Sequence, residues 1–145
     1  MSEIICKVND NGTKFWYLND KLHREDGPTC EYANGNAEWH LDGKLHRIDG
    51  PAIELTSGTK RWYKNGKLHR IDGPAIERSN GDKYWYLNGK RHRINGPACE
   101  RANGSKFWFL NGKEVTERDI FPITVLGFYR IKCKKPKELT FEVIG

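Results

Sequence analysis

The chain has 145 residues, of which 30% are charged, with a formal net charge of +6 and a mean hydropathy of -0.80. No apolar run approaches the roughly 20 residues needed to cross a bilayer as a helix, so a helical membrane protein is excluded. Such polarity would suit a disordered chain, but Trp16, Trp39, Trp62, Trp85 and Trp108 recur at a fixed spacing of 23 residues. Self-similarity at a fixed short period predicts an ordered array of stacked units, none of which buries its apolar face alone.

Taken in chain order, residues 1–10 form an N-terminal cap, with Ile4 to Val8 as the last strand of an incomplete repeat. The array runs from 11 to 113, as units 11–33, 34–56, 57–79 and 80–102 and a partial unit 103–113. Each unit reads as strand, tight turn, strand, corner, strand. In the fourth unit these are Lys83 to Leu87, Asn88-Gly89, Lys90 to Ile94, Asn95-Gly96-Pro97 and Ala98 to Ala102. Asn-Gly between aromatic and apolar runs signals a type I′ hairpin turn, which requires positive φ at both central residues. Asp42-Gly43, Asn65-Gly66 and Asn111-Gly112 repeat the signal; Asn19-Asp20 departs from it, which predicts the loosest hairpin there. Gly-Pro marks the corner, because proline has no N–H to give a paired strand. Each unit then ends at an Asn-Gly or Ser-Gly turn that launches the next tryptophan strand.

From Glu114 the pattern breaks, and residues 114–145 read as a C-terminal cap. Thr116 is placed to cap one helical turn before Pro122. Phe128 to Cys133 and Leu139 to Val143 then alternate as two strands around a turn at 134–137, with Leu139, Phe141 and Val143 on one face. They are expected to cover the open edge of the array. The fold class is therefore all-β, a single-layer antiparallel meander with terminal caps.

The string WYLNGKRHRING at 85–96 combines an aromatic strand, Asn-Gly-Lys, a histidine, and Asn-Gly shortly after it. With the 23-residue period, this resembles the MORN repeat over residues 11–113. MORN units have glycine after the histidine, whereas Arg24, Arg47, Arg70 and Arg93 stand there. Arrays of this HRxDGPA type are similar to repeat proteins encoded by large bacteriophages and other large DNA viruses. The resemblance implies stacked β-hairpins that act as scaffolds or partner-binding modules, and it supplies no catalytic residue. The lipid binding proposed for some members finds no amphipathic helix here to support it.

Among residues that carry chemistry, His23, His46, His69 and His92 repeat in every unit and are expected roughly 10–15 Å apart, too far for one metal ion to bridge. With the following arginine and Asp26, Asp49, Asp72 or Asn95, each reads as a hydrogen-bonded cluster that fixes the corner. His40 replaces a tyrosine on a sheet face. Cys30 and Cys99 occupy the place of Ile53 and Ile76, so they read as buried free thiols; Cys6 and Cys133 lie outside the repeats. Without a CxxC spacing, no zinc site and no cofactor is expected. Nucleophile elbow, phosphate-binding loop, HExxH and isolated paired carboxylates are all missing, so an enzyme is not expected.

The tryptophans read as the core, which leaves their strand neighbours, such as Tyr84 and Tyr86 or Phe107 and Phe109, on the other face. Charge divides the array. Between Asn11 and Thr56 there are five basic and eight acidic residues, and between Ser57 and Ala102 eleven and four. The excess comes from positions that the repeats do not share. The expected partner-binding set is therefore Lys60, Arg61, Tyr63, Lys64, Arg78, Lys83, Tyr84, Tyr86, Arg91 and Arg101. The leading expectation is a small viral protein in the host cytoplasm that occupies and inhibits a host protein, such as a defence enzyme. The alternative is nucleic-acid or nucleotide binding through the basic third and fourth repeats. A homodimer through an open sheet edge is a further expectation.

Overall fold

The computed structural model describes residues 3–120, 129–133 and 139–143. They form a twelve-stranded antiparallel sheet in meander order, from Ile5–Val8 at one edge to Lys113–Val115 at the other, with two-stranded hairpins branching from it. The all-β meander read from the repeats is the architecture found. In the third unit Lys60–Arg61 lies between Ile53–Glu54 and Ile76–Glu77, so that Arg61 faces Ile53 on one side and Ile76 on the other.

Beyond Trp62 the same strand changes partners, and Tyr63–Lys64 pairs with Lys67–Leu68 in a hairpin of its own. The tryptophan backbone makes the switch. Trp62 donates its N–H to the Ala75 carbonyl at 2.8 Å in the long sheet, and its carbonyl accepts the His69 N–H at 3.1 Å in the hairpin. Trp16, Trp39 and Trp85 do the same. The return strand is shorter than the expected Lys90 to Ile94: it is Lys90–Arg91. It ends there because the Arg93 N–H bonds to the Phe109 carbonyl of the next unit at 3.1 Å rather than to its own hairpin.

The two glycine turns of each unit differ in type. Asp42-Gly43, Asn65-Gly66, Asn88-Gly89 and Asn111-Gly112 have positive φ at both residues, the type I′ geometry. Asn19-Asp20 adopts it too, at φ 49° and 60°, and the hairpin keeps the register of the others, with Leu18 opposite Lys21. The launching turns are longer: the Leu55 N–H bonds to Thr59, the Gly58 N–H bonds back to Leu55, and Gly58 has φ 90°. That is a type I turn closed by a left-handed glycine.

Units are joined to their neighbours by hydrogen bonds that reach 20 residues along the chain. Thr13, Asn36, Thr59 and Asp82 form a polar column whose side-chain oxygens accept the backbone N–H of Ala33, Thr56, Ser79 and Ala102 at 3.2, 2.9, 3.2 and 2.8 Å. Three of these four residues are buried, and all are satisfied. Hairpins also stack on one another, since the Gly66 N–H reaches the Leu45 carbonyl and the Gly89 N–H the Leu68 carbonyl, both at 2.8 Å.

The core is not where the tryptophans suggested. Every tryptophan is only half-buried, whereas Cys30, Ala52, Ile53, Ala75, Tyr84, Ala98 and Cys99 are buried. The buried layer is the small residue after the corner proline and the face that carries Ile53 and Cys99. Trp16, Trp39, Trp62 and Trp85 are each covered by an arginine instead.

Ile5–Val8 pairs with Lys14 to Tyr17 as the expected cap strand, and all four of its residues are exposed. At the other end Thr116 starts a helical turn at 117–120, where its N–H and hydroxyl both reach Asp119 Oδ2, at 2.8 and 2.7 Å. Ile120 is buried beneath it. Tyr129–Cys133 and Leu139–Val143 pair with each other. Among the described residues they form a two-stranded sheet of their own, and the expected covering of the array's edge lies outside what the structure describes. Pro122, the turn at 134–137 and the facing of Leu139, Phe141 and Val143 fall outside what the structure describes. Among the described residues no helix is long and apolar enough to cross a membrane.

Candidate macromolecule-binding face

The arginines of the array fall into two groups. The first is the arginine after each histidine. Arg47 lies flat on Trp39, its guanidinium carbon 4.0 Å from the ring centroid. From there its Nε donates to Asp49 at 3.0 Å, and its Nη1 to the Pro51 carbonyl at 3.3 Å and to Glu54 at 3.1 Å. Arg24, Arg70 and Arg93 repeat the arrangement on Trp16, Trp62 and Trp85. The neighbouring guanidinium holds the carboxyls of Asp26, Asp49 and Asp72 below the usual carboxylate range. A Cβ on Gly50 would lie 3.0 Å from the Arg47 guanidinium carbon, and one on Gly73 2.9 Å from that of Arg70. A side chain there would displace the guanidinium, whereas the backbone of Gly27, Gly50 and Gly73 lies outside the left-handed region and does not itself demand glycine. These four arginines belong to the fold.

Each histidine works between units rather than within its corner. His46 Nδ1 accepts the Asn65 N–H at 3.2 Å, His69 accepts that of Asn88 at 3.2 Å and His92 that of Asn111 at 3.1 Å. The expected corner cluster is therefore correct for arginine and aspartate, while histidine ties its unit to the turn of the next.

The second group is Arg61, Arg78, Arg91 and Arg101, all from the expected partner-binding set. Strand alternation puts them on the face opposite the tryptophans, with Tyr63, Tyr84 and Tyr86. Arg78 lies over Tyr84 at 5.1 Å, Arg101 over Phe107 at 4.9 Å and Arg91 over Phe109 at 5.2 Å. Arg91 Nε also donates to the Tyr86 hydroxyl at 3.0 Å. Arg78 meets Asp82 at 3.7 Å, whereas Arg61, Arg91 and Arg101 make no ion pair among the described residues. Arg61 Nε is buried there without any hydrogen-bond partner.

The expected set is therefore not one surface. Lys60 and Lys83 are on the tryptophan face, with Glu54 and Glu77 flanking the first and Glu77 and Glu100 the second. Lys64 is exposed at the hairpin opposite Lys67. Tyr84, expected as a partly exposed aromatic, is 7% exposed and hydrogen-bonds Asp82 at 3.2 Å. Burial, and then Asp82, raises its phenol pKa.

Around the first and second units the same face carries different side chains. Cys30, Glu38 and His40 bring one ligating atom each to within 4.8 Å of one another. His40 Nδ1 is 2.8 Å from Thr29 Oγ1, which in turn donates to the Glu38 carbonyl at 3.0 Å. Burial pushes the Cys30 thiol up to about 11 and the Tyr32 phenol, beside Glu38 and Cys30, up to about 12. It holds the His40 imidazolium below its ordinary range.

One surface escaped the sequence reading. The residue between the arginine and aspartate of the corner is Ile48, Ile71 or Ile94, and these are 93%, 84% and 52% exposed. Ile71 and Ile94 border a groove floored by Trp85, and Ile48 and Ile71 one at Trp62. The signal was present as an isoleucine inside an otherwise polar, glycine-bounded corner.

Comparison with protein-family models gives no match, and no curated protein matches the chain.

Proposed function

We propose that this chain is a non-catalytic repeat protein that binds an acidic surface on a protein partner through the arginine-bearing face of its third and fourth units. The observation that carries the proposal is that Arg61, Arg91 and Arg101 have no ion-pair partner among the described residues, while every arginine of the other group meets at least one carboxylate. Arg91 and Arg101, unpaired and held beside Phe109 and Phe107, are pre-organised for a carboxylate-bearing partner, and arginine and tyrosine dominate such interfaces. The exposed ladder of Ile48, Ile71 and Ile94 borders the grooves at Trp62 and Trp85 on the other side of the sheet, a second apolar surface separate from this one. The viral resemblance makes a host enzyme, of defence or nucleic-acid handling, the first class of partner to test.

A tagged chain is used to capture material from bacterial lysate, with and without nuclease, alongside an Arg61→Glu, Arg91→Glu, Arg101→Glu variant. The expected result is a stoichiometric protein that survives nuclease and is lost with the triple variant, which circular dichroism shows to be still folded at the capture temperature. Recovery of nuclease-sensitive material alone, with affinity that falls steeply as salt rises, would transfer the assignment to nucleic acid. Capture unchanged in the triple variant would remove this face from consideration.

A further inference from the structure

We infer that Cys30, Glu38 and His40 form a binding site for a borderline-soft divalent cation of the zinc type at the junction of the first and second units. The sequence offers no metal motif there, because the ligands are eight and two residues apart on different strands. Pairing supplies the geometry: Cys30 and Glu38 are direct partners across adjacent strands, and His40, two residues beyond Glu38, returns to the same face. The three ligating atoms lie within 4.8 Å of one another, with the cysteine buried and the other two half-buried.

The imidazole is already oriented. Thr29 spends its single hydroxyl proton on the Glu38 carbonyl at 3.0 Å, so its oxygen accepts from His40 Nδ1 at 2.8 Å. In that tautomer the ring N–H is on Nδ1, and the Nε2 lone pair faces Glu38, whose Oε2 is 3.8 Å away. Metal-bound histidines are held this way, with the second ring nitrogen donating to an oxygen. Thiolate, imidazole and carboxylate together suit zinc, with the fourth position left to water or the Tyr32 hydroxyl. Coordination replaces the Cys30 S–H proton, which leaves to solvent.

The repeat provides its own control. Threonine 29 stands where the later units have Ala52, Ala75 and Ala98, and Cys30 where the next two have Ile53 and Ile76. Glu38 and His40 take places held elsewhere by aromatic residues or Arg61. Departures from the repeat thus coincide at one point, and they include every ligand and the residue that orients the imidazole. Cys99, buried at the equivalent position, is opposite Tyr84 and Phe107 instead of a carboxylate.

The test is a cobalt(II) titration of the reduced, chelator-treated full chain, read as the near-ultraviolet thiolate-to-cobalt charge-transfer band and followed by zinc displacement. The expected result is one ion per chain, with the band kept in Cys99→Ile. The affinity should fall at least about 100-fold in Cys30→Ile and His40→Tyr, and about tenfold in Thr29→Ala, which removes only the orienting oxygen. Each substitution installs a residue that another unit already carries, so folding is expected; if Cys30→Ile fails to fold, His40→Tyr decides. The proposal is overturned if the parent gives no band, or if the band survives in both Cys30→Ile and His40→Tyr, which would assign it to other thiols such as the exposed Cys6.

Discussion

Two junctions in this array share a backbone and differ in what they place on its second face. Between the first and second units that face holds Cys30, Tyr32, Glu38 and His40, and Phe15 packs edge-on against Tyr32 with centroids 6.2 Å apart. Between the third and fourth it holds Arg61, Arg78, Tyr84 and Arg91 at the equivalent or adjoining positions. Hydrogen-bonding of the strands is the same in both places. Nothing in the sheet therefore dictates these side chains, and the tryptophan face, with its arginine, glutamate and corner glycine, is where the fold is specified. The difference teaches that arginine has two uses here: one group covers tryptophan and is paired with local carboxylates, and the other, Arg78 with Asp82 apart, has no carboxylate partner among the described residues.

That distinction is open to direct attack. Arg70→Ala should cost the most stability, about 3 kcal/mol, by losing the stack on Trp62 and charge-assisted hydrogen bonds to the Pro74 carbonyl and Glu77. Arg91→Ala, on the other face, loses one hydrogen bond to Tyr86 and a more distant ring contact with Phe109, with no ion pair, and should cost about 1–2 kcal/mol by the same chemical denaturation. Equal losses would erase the two groups. Gly73→Ala comes next, at about 1 kcal/mol, as the new methyl pushes the guanidinium, the flexible end of its side chain, away from its ring. In a double-mutant cycle most of that cost should vanish when Arg70 is already alanine, because the clashing atoms are gone.

Asp20→Gly works in the opposite direction. Asp20 holds φ 60° where the other hairpins use glycine, so its replacement should raise stability by about 0.5–1 kcal/mol, read as a higher melting temperature. The smallest effect is a pH difference between corners. Arg24, Arg47 and Arg70 lower the carboxyls of Asp26, Asp49 and Asp72 below their ordinary 3.8. Their stabilisation is therefore complete above pH of about 4 and is lost as pH falls through the lowered values. Asn95 does not titrate, so amide exchange at the fourth corner should respond less to acid than at the first three.

Hairpins, turns and meander order were legible because Asn-Gly, Gly-Pro and the tryptophan period each constrain the backbone directly. Which face is buried was not. Alternation divides Lys60, Trp62 and Lys64 from Arg61 and Tyr63 but does not say which side packs, and a tryptophan half-covered by an arginine reads as core while the arginine reads as solvated. The corner glycine was legible as a turn and illegible as a contact, since its constraint is an arginine side chain three residues back. The Cys30, Glu38 and His40 group needed the register of two strands, and no spacing along the chain encodes that register.

The side-chain links between units also bear on how the chain acquires its shape. Histidine reaches a turn 19 residues away and the polar column an amide 20 residues away, while the arginine contacts close within 7. Loops this short lose little entropy on closing, and rates of folding track the sequence separation of contacts. Unlike a β-sandwich, whose sheets wait for distant strands to meet, this array can nucleate at any one unit and zip outward, and it is expected to fold quickly for an all-β chain of its length.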